Sequence, residues 1–213
     1  MLIRYLFIIS ACLLLSACDS VAEPDIDYGE IKDGLYTNNY FKMSIQLPSD
    51  WSIQSQAEQK KLMKSGTELL SGDNQKLKSA LKASQKQSVN MFSVFRYEQG
   101  APVDFNPSII SVAEKVSHMP GVKKGADYLF HVKKVLNAGQ LKYDFSGEIY
   151  SKELSGVSFD VMPSVISMAG MTIKQEYYAA IMNDYALGFI LSYTTDADGK
   201  ALNNIINTLE FKN

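Results

Sequence analysis

One thiol near the start of the chain has neighbours that suit it to covalent chemistry. Residues 15–18 read Leu-Ser-Ala-Cys, at the end of an apolar run that begins at Tyr5. Small residues directly before such a cysteine form a lipobox, where a bacterial peptidase cuts once diacylglycerol has been attached to the thiol. The pattern predicts that Cys18 is the acylated first residue of the mature chain.

The segment in front of Cys18 has the parts of a secretory signal. Residues 1–4 carry one positive charge, at Arg4, and residues 5–15 are almost wholly apolar. The run is too short to span a bilayer, which needs about 20 apolar residues. Residues 1–17 are therefore expected to be removed, and two or three acyl chains on Cys18 would hold the protein firmly at a membrane.

Two details of this region leave alternatives open. Cys12 also follows a small residue, but cleavage there would leave an apolar run of about five residues, below the ~7–15 of ordinary signals. Asp19, directly after the acylated cysteine, resembles the signal that retains proteobacterial lipoproteins in the inner membrane. Attachment to the inner membrane, facing the periplasm, is thus favoured, and the outer membrane is the alternative.

Composition narrows the function classes open to the chain. It has 21 Lys and Arg against 23 Asp and Glu, and loss of Arg4 makes the balance more negative. Nucleic acid is not an expected partner, because phosphate backbones are bound by concentrated basic surfaces. Both cysteines lie within residues 1–18, so the folded part holds no disulfide and depends on its hydrophobic core.

Residues that usually carry catalysis or bind metals form no recognisable site. His118 and His131 belong to no zinc-binding spacing, and the chain has no G-x-S-x-G motif or glycine-rich phosphate loop. Asp196 and Asp198 precede Gly199 as in a calcium loop, but the bidentate glutamate is absent, which favours an Asp-rich turn capping the last helix. We expect no catalytic residue, no cofactor and no metal.

Four aromatic residues are candidates for contact with a partner protein. Tyr177, Tyr178 and Tyr185 fall on one predicted hairpin, and Trp51 follows a Pro-Ser-Asp turn. Tyr and Trp suit interfaces because an apolar ring carries a polar edge, but the same residues also serve in cross-strand pairs of a core. Glu114, on a predicted strand, is expected to pair with a Lys or Arg.

The chain divides into three parts. Residues 1–17 form the signal, residues 18–34 the acylated cysteine with an acidic spacer, and residues 35–213 a single domain. Between Asp19 and Asp33 there are six acidic residues and one lysine. A polar segment of this kind is expected to be a flexible tether that holds the domain off the membrane.

Hydrophobic periodicity predicts that the domain is α+β. Period-two alternation and β-rich composition predict strands at 41–47, 51–53, 89–97, 109–116, 143–151, 156–167, 171–182, 185–195 and 208–212, and helical spacing predicts helices at 57–86, 127–136 and 196–207. Gly72-Asp73 interrupts the first helical stretch, Asn183-Asp184 forms a hairpin turn, and a helix opening at Pro107 is the alternative to the fourth strand.

Lysine is concentrated in the first helical stretch. Residues 57–86 carry seven lysines and three acids. A charge run of this kind usually forms a solvated helix face. The alternative is a surface that faces anionic headgroups or an acidic partner.

Several segments resemble the PsbP-like domains of small bacterial lipoproteins, including the DcrB type. The resemblance is carried by residues 36–38, 40–48, Trp51, Glu114, 128–129, 177–179, 185–193 and 209–211, and it covers roughly residues 35–212. It implies an antiparallel sheet with helices packed on its faces, in an αβα sandwich. Because members of this fold serve mostly as accessory or binding subunits, it implies a non-enzymatic role toward another envelope component; a carrier or sensor of a small apolar ligand is the alternative.

Replacement of Cys18 by serine tests the acylation site. Because a hydroxyl does not replace the thiol in lipoprotein processing, the Cys18→Ser chain should lose its lipid label and either stay unprocessed or leave the membrane fraction. The measurement is metabolic lipid labelling with cell fractionation, and Cys12→Ser is the matched control that should behave as the wild type. Unchanged labelling of the Cys18→Ser chain would move the anchor to Cys12 or end the lipoprotein interpretation.

Overall fold

The structure, a computed structural model, describes residues 27–212. The predicted signal, Cys12, Cys18 and Asp19 lie outside the described residues. In chain order the elements are β1 (Glu30–Lys32), β2 (Leu35–Asn38), β3 (Met43–Gln46), β4 (Ser52–Ile53), α1 (Gln56–Ser71), α2 (Gln75–Lys86), β5 (Ser88–Phe95), β6 (Ser108–Lys115), α3 (Gly125–Asn137), β7 (Tyr143–Asp144), β8 (Tyr150–Leu154), β9 (Val157–Met168), β10 (Met171–Met182), β11 (Tyr185–Tyr193), α4 (Asp196–Ile206) and β12 (Glu210–Phe211).

The described strands form two antiparallel sheets. The larger sheet has the order β4-β5-β6-β11-β10-β9-β7, with β8 also paired to β9, and the smaller one has the order β1-β2-β3-β12. The α+β class and the helices on the sheet faces are therefore confirmed. The smaller sheet is a finding that the sequence did not indicate, because its four strands come from the two ends of the described chain.

The predicted hairpin of β10 and β11 is one of the two longest pairings of the larger sheet, equal in length to that of β9 with β10. Its register places Tyr178 opposite Phe189 and Met182 opposite Tyr185. Asn183 and Asp184 join the strands with φ values of 48° and 65°. A two-residue hairpin turn that matches the twist of the strands requires such positive φ values. The turn prediction is confirmed.

Side chains alternate between two cores on the faces of the larger sheet. One face packs against the smaller sheet and α4, in a core that contains Phe92, Phe159, Phe189 and Leu202. The opposite face packs against α3, where Leu129 meets residues of β9 and β10. With α1 and α2 beside β5 on that second face, the molecule has three layers.

The predicted strand at 143–151 is wrong in one respect, because the segment forms the two separate strands β7 and β8. Both pair with β9, β7 at Val165 and Ile166 and β8 from Val157 to Val161. Between these two stretches lies Pro163, which has no N–H to donate to a neighbouring strand. The ladder is interrupted at that residue, and the intervening loop passes over it with Gly147 close to the proline ring.

The predicted boundary of the tether at residue 34 is also corrected. β1 pairs with β2, the Asn38 side-chain amide donates to the Asp27 carbonyl over 2.7 Å, and the Tyr36 hydroxyl donates to the Tyr28 carbonyl over 2.8 Å. Gly29 makes this approach feasible, because its φ is +74° and a Cβ there would lie 2.4 Å from the Tyr36 ring. The ordered sheet therefore includes residues before Leu35.

The segment after Pro107 is a strand, and the turn before α4 is a cap. β6 pairs with both β5 and β11, so a helix opening at Pro107 is wrong. The predicted Asp-rich segment forms the first turn of α4, but the capping side chain is that of Thr195, whose hydroxyl accepts from the Asp198 amide over 3.2 Å. Asp198 also forms an ion pair with Arg96.

Phe189 lies at the aromatic centre of the core between the larger sheet and the smaller sheet. We therefore expect the stability of the fold to depend strongly on its side chain. Its side chain is fully buried and lies between Phe92 and Phe159, at ring-centroid distances of 6.3 and 5.8 Å. Phe189→Ala should lower the free energy of unfolding by about 3–5 kcal/mol, because it opens a cavity as well as losing apolar burial. The measurement is urea denaturation.

The matched control is Phe130→Ala on α3, where the ring is 53% exposed. This substitution should change the free energy of unfolding by less than about 1 kcal/mol. Equal losses for the two substitutions would contradict the assignment of the core.

Candidate functional site

Local sequence signals set the bounds of the helical pair α1–α2. One of them, the break at Gly72 between the two helices, was predicted from the sequence. α1 begins at a capping box, in which the Ser55 hydroxyl and the Glu58 carboxylate bond each other's backbone N–H groups. The two helices are joined by the Gln85 amide, which donates to the Thr67 hydroxyl over 2.6 Å, and by an ion pair of Lys78 with Glu68. The pair is thereby held as one unit over β5.

The fully buried residues of α1 are polar, which is unusual for a helix that covers a sheet, although the half-buried Leu70 packs against the core beside α3. Its buried residues are Gln59, Thr67 and Ser71, whereas Leu69 is exposed. A helix of a soluble domain ordinarily turns an apolar stripe to the core. Departures from that rule are expected mainly where a surface serves a function.

Between α1, α2 and β5 the polar side of α1 borders a groove of about 410 Å³. This volume lies within the ~300–1,000 Å³ of ordinary ligand sites. We call it the amide–lysine groove, and its described lining residues are Tyr28, Gln56, Gln59, Lys60, Met63, Lys64, Gln85, Ser88 and Asn90.

Gln59 is the most deeply buried residue of the groove, with 6% of its surface exposed. Its Nε2 donates to the Gln54 carbonyl over 3.2 Å, which fixes the amide with Oε1 as its free end. Oε1 is buried and has no hydrogen-bond partner among the described residues. Leaving such an acceptor unpaired costs about 1–3 kcal/mol, so this carbonyl is suited to a donor supplied by a ligand.

A second amide of the groove is also incompletely satisfied. β5 is irregular between Asn90 and Phe92, and the Asn90 Nδ2 group contacts the Met63 sulfur. A thioether is a weak acceptor compared with a carbonyl or hydroxyl oxygen. The floor of the groove therefore presents two amides whose hydrogen-bonding capacity the described residues do not fill.

The wall of the groove is positively charged. Lys60 and Lys64 are exposed and lie one helical turn apart, and none of the described lining residues is acidic. The nearby carboxylates of α1 are engaged elsewhere, since hydrogen bonds from Ser55 lower the pKa of Glu58, and Lys78 lowers that of Glu68. The arrangement can bind an anion that also carries hydrogen-bonding groups.

Tyr28 connects the groove to the N-terminal end of the described chain. Its side chain is 53% exposed and lines the groove, while its carbonyl accepts the Tyr36 hydroxyl. The groove therefore opens beside the point where the chain continues toward Cys18. The sequence does not reveal this site, because its amides come from three elements whose juxtaposition no spacing indicates.

Two of the predicted contact residues prove to be core residues. Tyr177 and Tyr178 are adjacent on β10 and face opposite sides of the larger sheet, with exposures of 7% and 2%. Because their side chains are covered by the domain itself, the prediction that they contact a partner is wrong. They pack across strands and layers of the core.

The remaining predicted contact residues, Trp51 and Tyr185, are half-buried at the margin of the core between the larger sheet and the smaller sheet. The Tyr185 ring packs edge-on against Tyr40 and Phe41, at centroid distances of 5.6 and 6.2 Å. The structure does not bring Trp51 or Tyr185 to the amide–lysine groove, and their contact with a partner stays a prediction.

Two carboxylates of the larger sheet are held by hydroxyl groups. Glu114 accepts from the Ser84 hydroxyl over 2.6 Å and from the Tyr128 hydroxyl over 2.7 Å, so the predicted pairing with Lys or Arg is wrong. Glu176 accepts from the Tyr178 and Tyr193 hydroxyls over 2.9 and 2.8 Å. Both arrangements join helices or strands and satisfy the carboxylates with donors from the domain.

Glu176 and Tyr193 also border a smaller cavity of about 260 Å³ near Pro163. Burial lowers the pKa of the neighbouring Lys152.

In the part of the chain that the structure describes, no group of three or more His, Cys, Asp or Glu residues is placed to hold a metal ion. None of the described helices is long and apolar enough to cross a membrane.

The hydroxyl networks predict that the fold loses stability in alkali. Burial raises the pKa of seven described tyrosines, namely Tyr36, Tyr128, Tyr143, Tyr150, Tyr177, Tyr178 and Tyr193. Unfolded tyrosines ionise near pH 10, while these folded ones keep their protons. Their contribution is therefore complete below about pH 10, and the free energy of unfolding should fall as the pH rises beyond it.

Urea denaturation across this alkaline range is the measurement. Tyr128→Phe should make the fall less steep, because one buried hydroxyl no longer titrates on unfolding. Tyr28→Phe, at an exposed position, is the matched control and should leave the fall unchanged. A free energy of unfolding that stayed constant above about pH 10 would contradict the burial of these hydroxyls.

Comparison with known proteins identifies the fold. No family model matches the sequence, and no curated protein is detectably similar to it. The cyanobacterial PsbP protein CyanoP of Synechocystis sp. PCC 6803 is similar with a TM-score of 0.52 and 9% identity, over 93% of this chain and 99% of that one. This similarity spans nearly the whole of both chains.

Two further solved structures are more distant. A protein of unknown function from Pseudomonas aeruginosa has a TM-score of 0.42 and 13% identity, over 84% of this chain and 96% of that one. LpqN, involved in cell envelope biogenesis of Mycobacterium tuberculosis, has a TM-score of 0.39 and 17% identity, over 79% and 82%. Likeness at this level defines no shared fold, whereas the similarity to CyanoP shows that this chain has a PsbP-like α+β fold.

Proposed function

We propose that the protein is a non-enzymatic binding module of the bacterial cell envelope, anchored by acyl chains on Cys18, and that the amide–lysine groove is its binding site. The observation that carries the proposal is the polar buried side of α1, with an unpaired Gln59 carbonyl in a groove bordered by two lysines. Sites that depart from ordinary helix packing at a cost in stability are expected to be functional.

The position of the groove supports an envelope role. Tyr28 lies ten residues after Cys18, so at a reach of about 3.5 Å per residue the groove wall lies at most ~35 Å from an acylated Cys18. The ligand would be met at or near the membrane surface. Asp19 favours the inner membrane, with the domain facing the periplasm, and the outer membrane is the alternative.

The carrier of a small apolar ligand is the weaker alternative. Such a carrier needs an enclosed apolar cavity of at least ~300 Å³. The groove reaches that volume, but amides, a hydroxyl and lysines make up most of its described lining. An apolar ligand would leave these polar groups without water or partners, at a cost in free energy.

Photo-crosslinking in intact cells tests the proposal. A photo-reactive amino acid in place of Gln56, which lines the groove, should capture a component of the envelope. The same amino acid in place of Lys61, exposed on the same helix but outside the described lining, should not capture it. Mass spectrometry of the adduct then identifies whether a lipid, a glycan or a protein was bound.

Two matched sets of variants complete this experiment. The adduct from position 56 should disappear with Lys60→Gln and Lys64→Gln together, and persist with Lys61→Gln and Lys76→Gln, which remove the same charge elsewhere. It should also be lost where the Cys18→Ser chain leaves the membrane fraction. The same adduct from positions 56 and 61, or none from either, would contradict the groove as the binding site.

A further inference from the structure

We infer that the amide–lysine groove takes a phosphate ester that carries free hydroxyl groups. This inference rests on the proposed function, since it takes the groove as the binding site, and it adds the chemical class of the ligand. It does not depend on the acyl anchor, so the two can fail separately.

The two lysines of the groove are the reason to expect a phosphate group in the ligand. Residues i and i+4 of a helix lie on the same side, with Cβ atoms about 5–6 Å apart, so the ammonium groups of Lys60 and Lys64 can approach one anionic group together. A phosphate ester carries one to about two negative charges near pH 7. Because none of the described lining residues is acidic, the field of the two lysines is not cancelled within the groove.

The Gln59 carbonyl accounts for the hydroxyl groups. Its amide nitrogen is committed to the Gln54 carbonyl, so the unpaired Oε1 can only accept, and an ionised phosphate offers it nothing to accept. A hydroxyl donates to such an oxygen and can also accept from an amide. Asn90, whose nitrogen contacts the Met63 sulfur, can supply this amide on β5. The Ser88 hydroxyl donates to the Ser84 carbonyl over 2.9 Å, so toward a ligand its oxygen can only accept.

Two sources share this chemistry. One is the headgroup of a phospholipid such as phosphatidylglycerol, in which a phosphate joins a free diol, and the other is a soluble polyol phosphate such as glycerol 1-phosphate. The reach of ~35 Å between the groove wall and an acylated Cys18 allows contact with either.

Calorimetric titration of residues 19–213, the predicted mature chain without its acylated cysteine, tests the inference. The soluble probes are glycerol 1-phosphate and inorganic phosphate. The membrane probes are phosphatidylcholine vesicles containing either phosphatidylglycerol or phosphatidic acid, which carries a phosphate without free hydroxyls. A soluble source predicts that glycerol 1-phosphate binds about ten-fold more tightly than inorganic phosphate.

A headgroup source predicts instead that phosphatidylglycerol vesicles bind better than phosphatidic acid vesicles, although phosphatidic acid carries more charge. For whichever probe binds, Lys60→Gln with Lys64→Gln should weaken its affinity about ten-fold. Lys61→Gln with Lys76→Gln should change the same affinity less than about two-fold. Gln59→Met, in a chain with native circular dichroism, should abolish the preference for the hydroxyl-bearing probe.

Three results would overturn the inference. They are binding of none of the probes, equal or tighter binding of the probes without hydroxyls, and equal effects of the two lysine pairs. If the crosslink from position 56 persists while every probe fails, the groove remains the binding site and only the ligand class is wrong. If the probes bind but no crosslink forms in cells, the proposed function fails and the ligand class stands.

Discussion

The register of the β10–β11 hairpin is the constraint on which the two cores depend. Asn183 and Asp184 adopt the positive φ values of a two-residue turn, and this turn sets Tyr178 opposite Phe189. A shift by one residue would exchange the faces of every side chain on one strand. Tyr177 would then leave α3 and Tyr178 would leave the layer that contains α4.

The same sheet explains why the groove can exist at the other end of the molecule. The central strands bury both of their faces, so they supply most of the apolar contacts of the domain. β5 lies near the β4 edge, where α1 and α2 cover it and the buried residues of α1 are polar. Stability supplied by the centre of the sheet offsets the unpaired side-chain Oε1 atoms of Gln59 and Gln54 at that edge.

Sequence patterns predicted the helices and most of the strands, since these follow from local periodicity, but they missed β1 and β2. The α1–α2 break at Gly72, the Asn183-Asp184 turn and the cap of α4 all follow from the types of neighbouring residues. The interruption at Pro163 was missed because it appears only once β7 and β8 are seen to share β9. The aromatic residues at 177 and 178 were overvalued as contact residues, because composition does not distinguish an interface from a core.

The groove could not be predicted from sequence for a related reason. Helical spacing draws attention to leucines, yet α1 turns Gln59 inward and leaves Leu69 exposed. An amide on a helix is ordinarily a surface residue, and only the position of Gln54 and Asn90 around it reveals an unmet acceptor. Lys60 and Lys64 can be recognised as an anion-binding pair only once the structure shows that none of the described lining residues is acidic.

The most direct test of the groove is to observe its amides while a ligand is added. In nuclear magnetic resonance spectra of residues 19–213, the side-chain amide signals of Gln59 and Asn90 should shift on titration with glycerol 1-phosphate or with short-chain phosphatidylglycerol. The side-chain amide of Gln175, which is bonded to Ser192 on the larger sheet, should not shift. If neither ligand shifts the signals of Gln59 and Asn90, the account is contradicted.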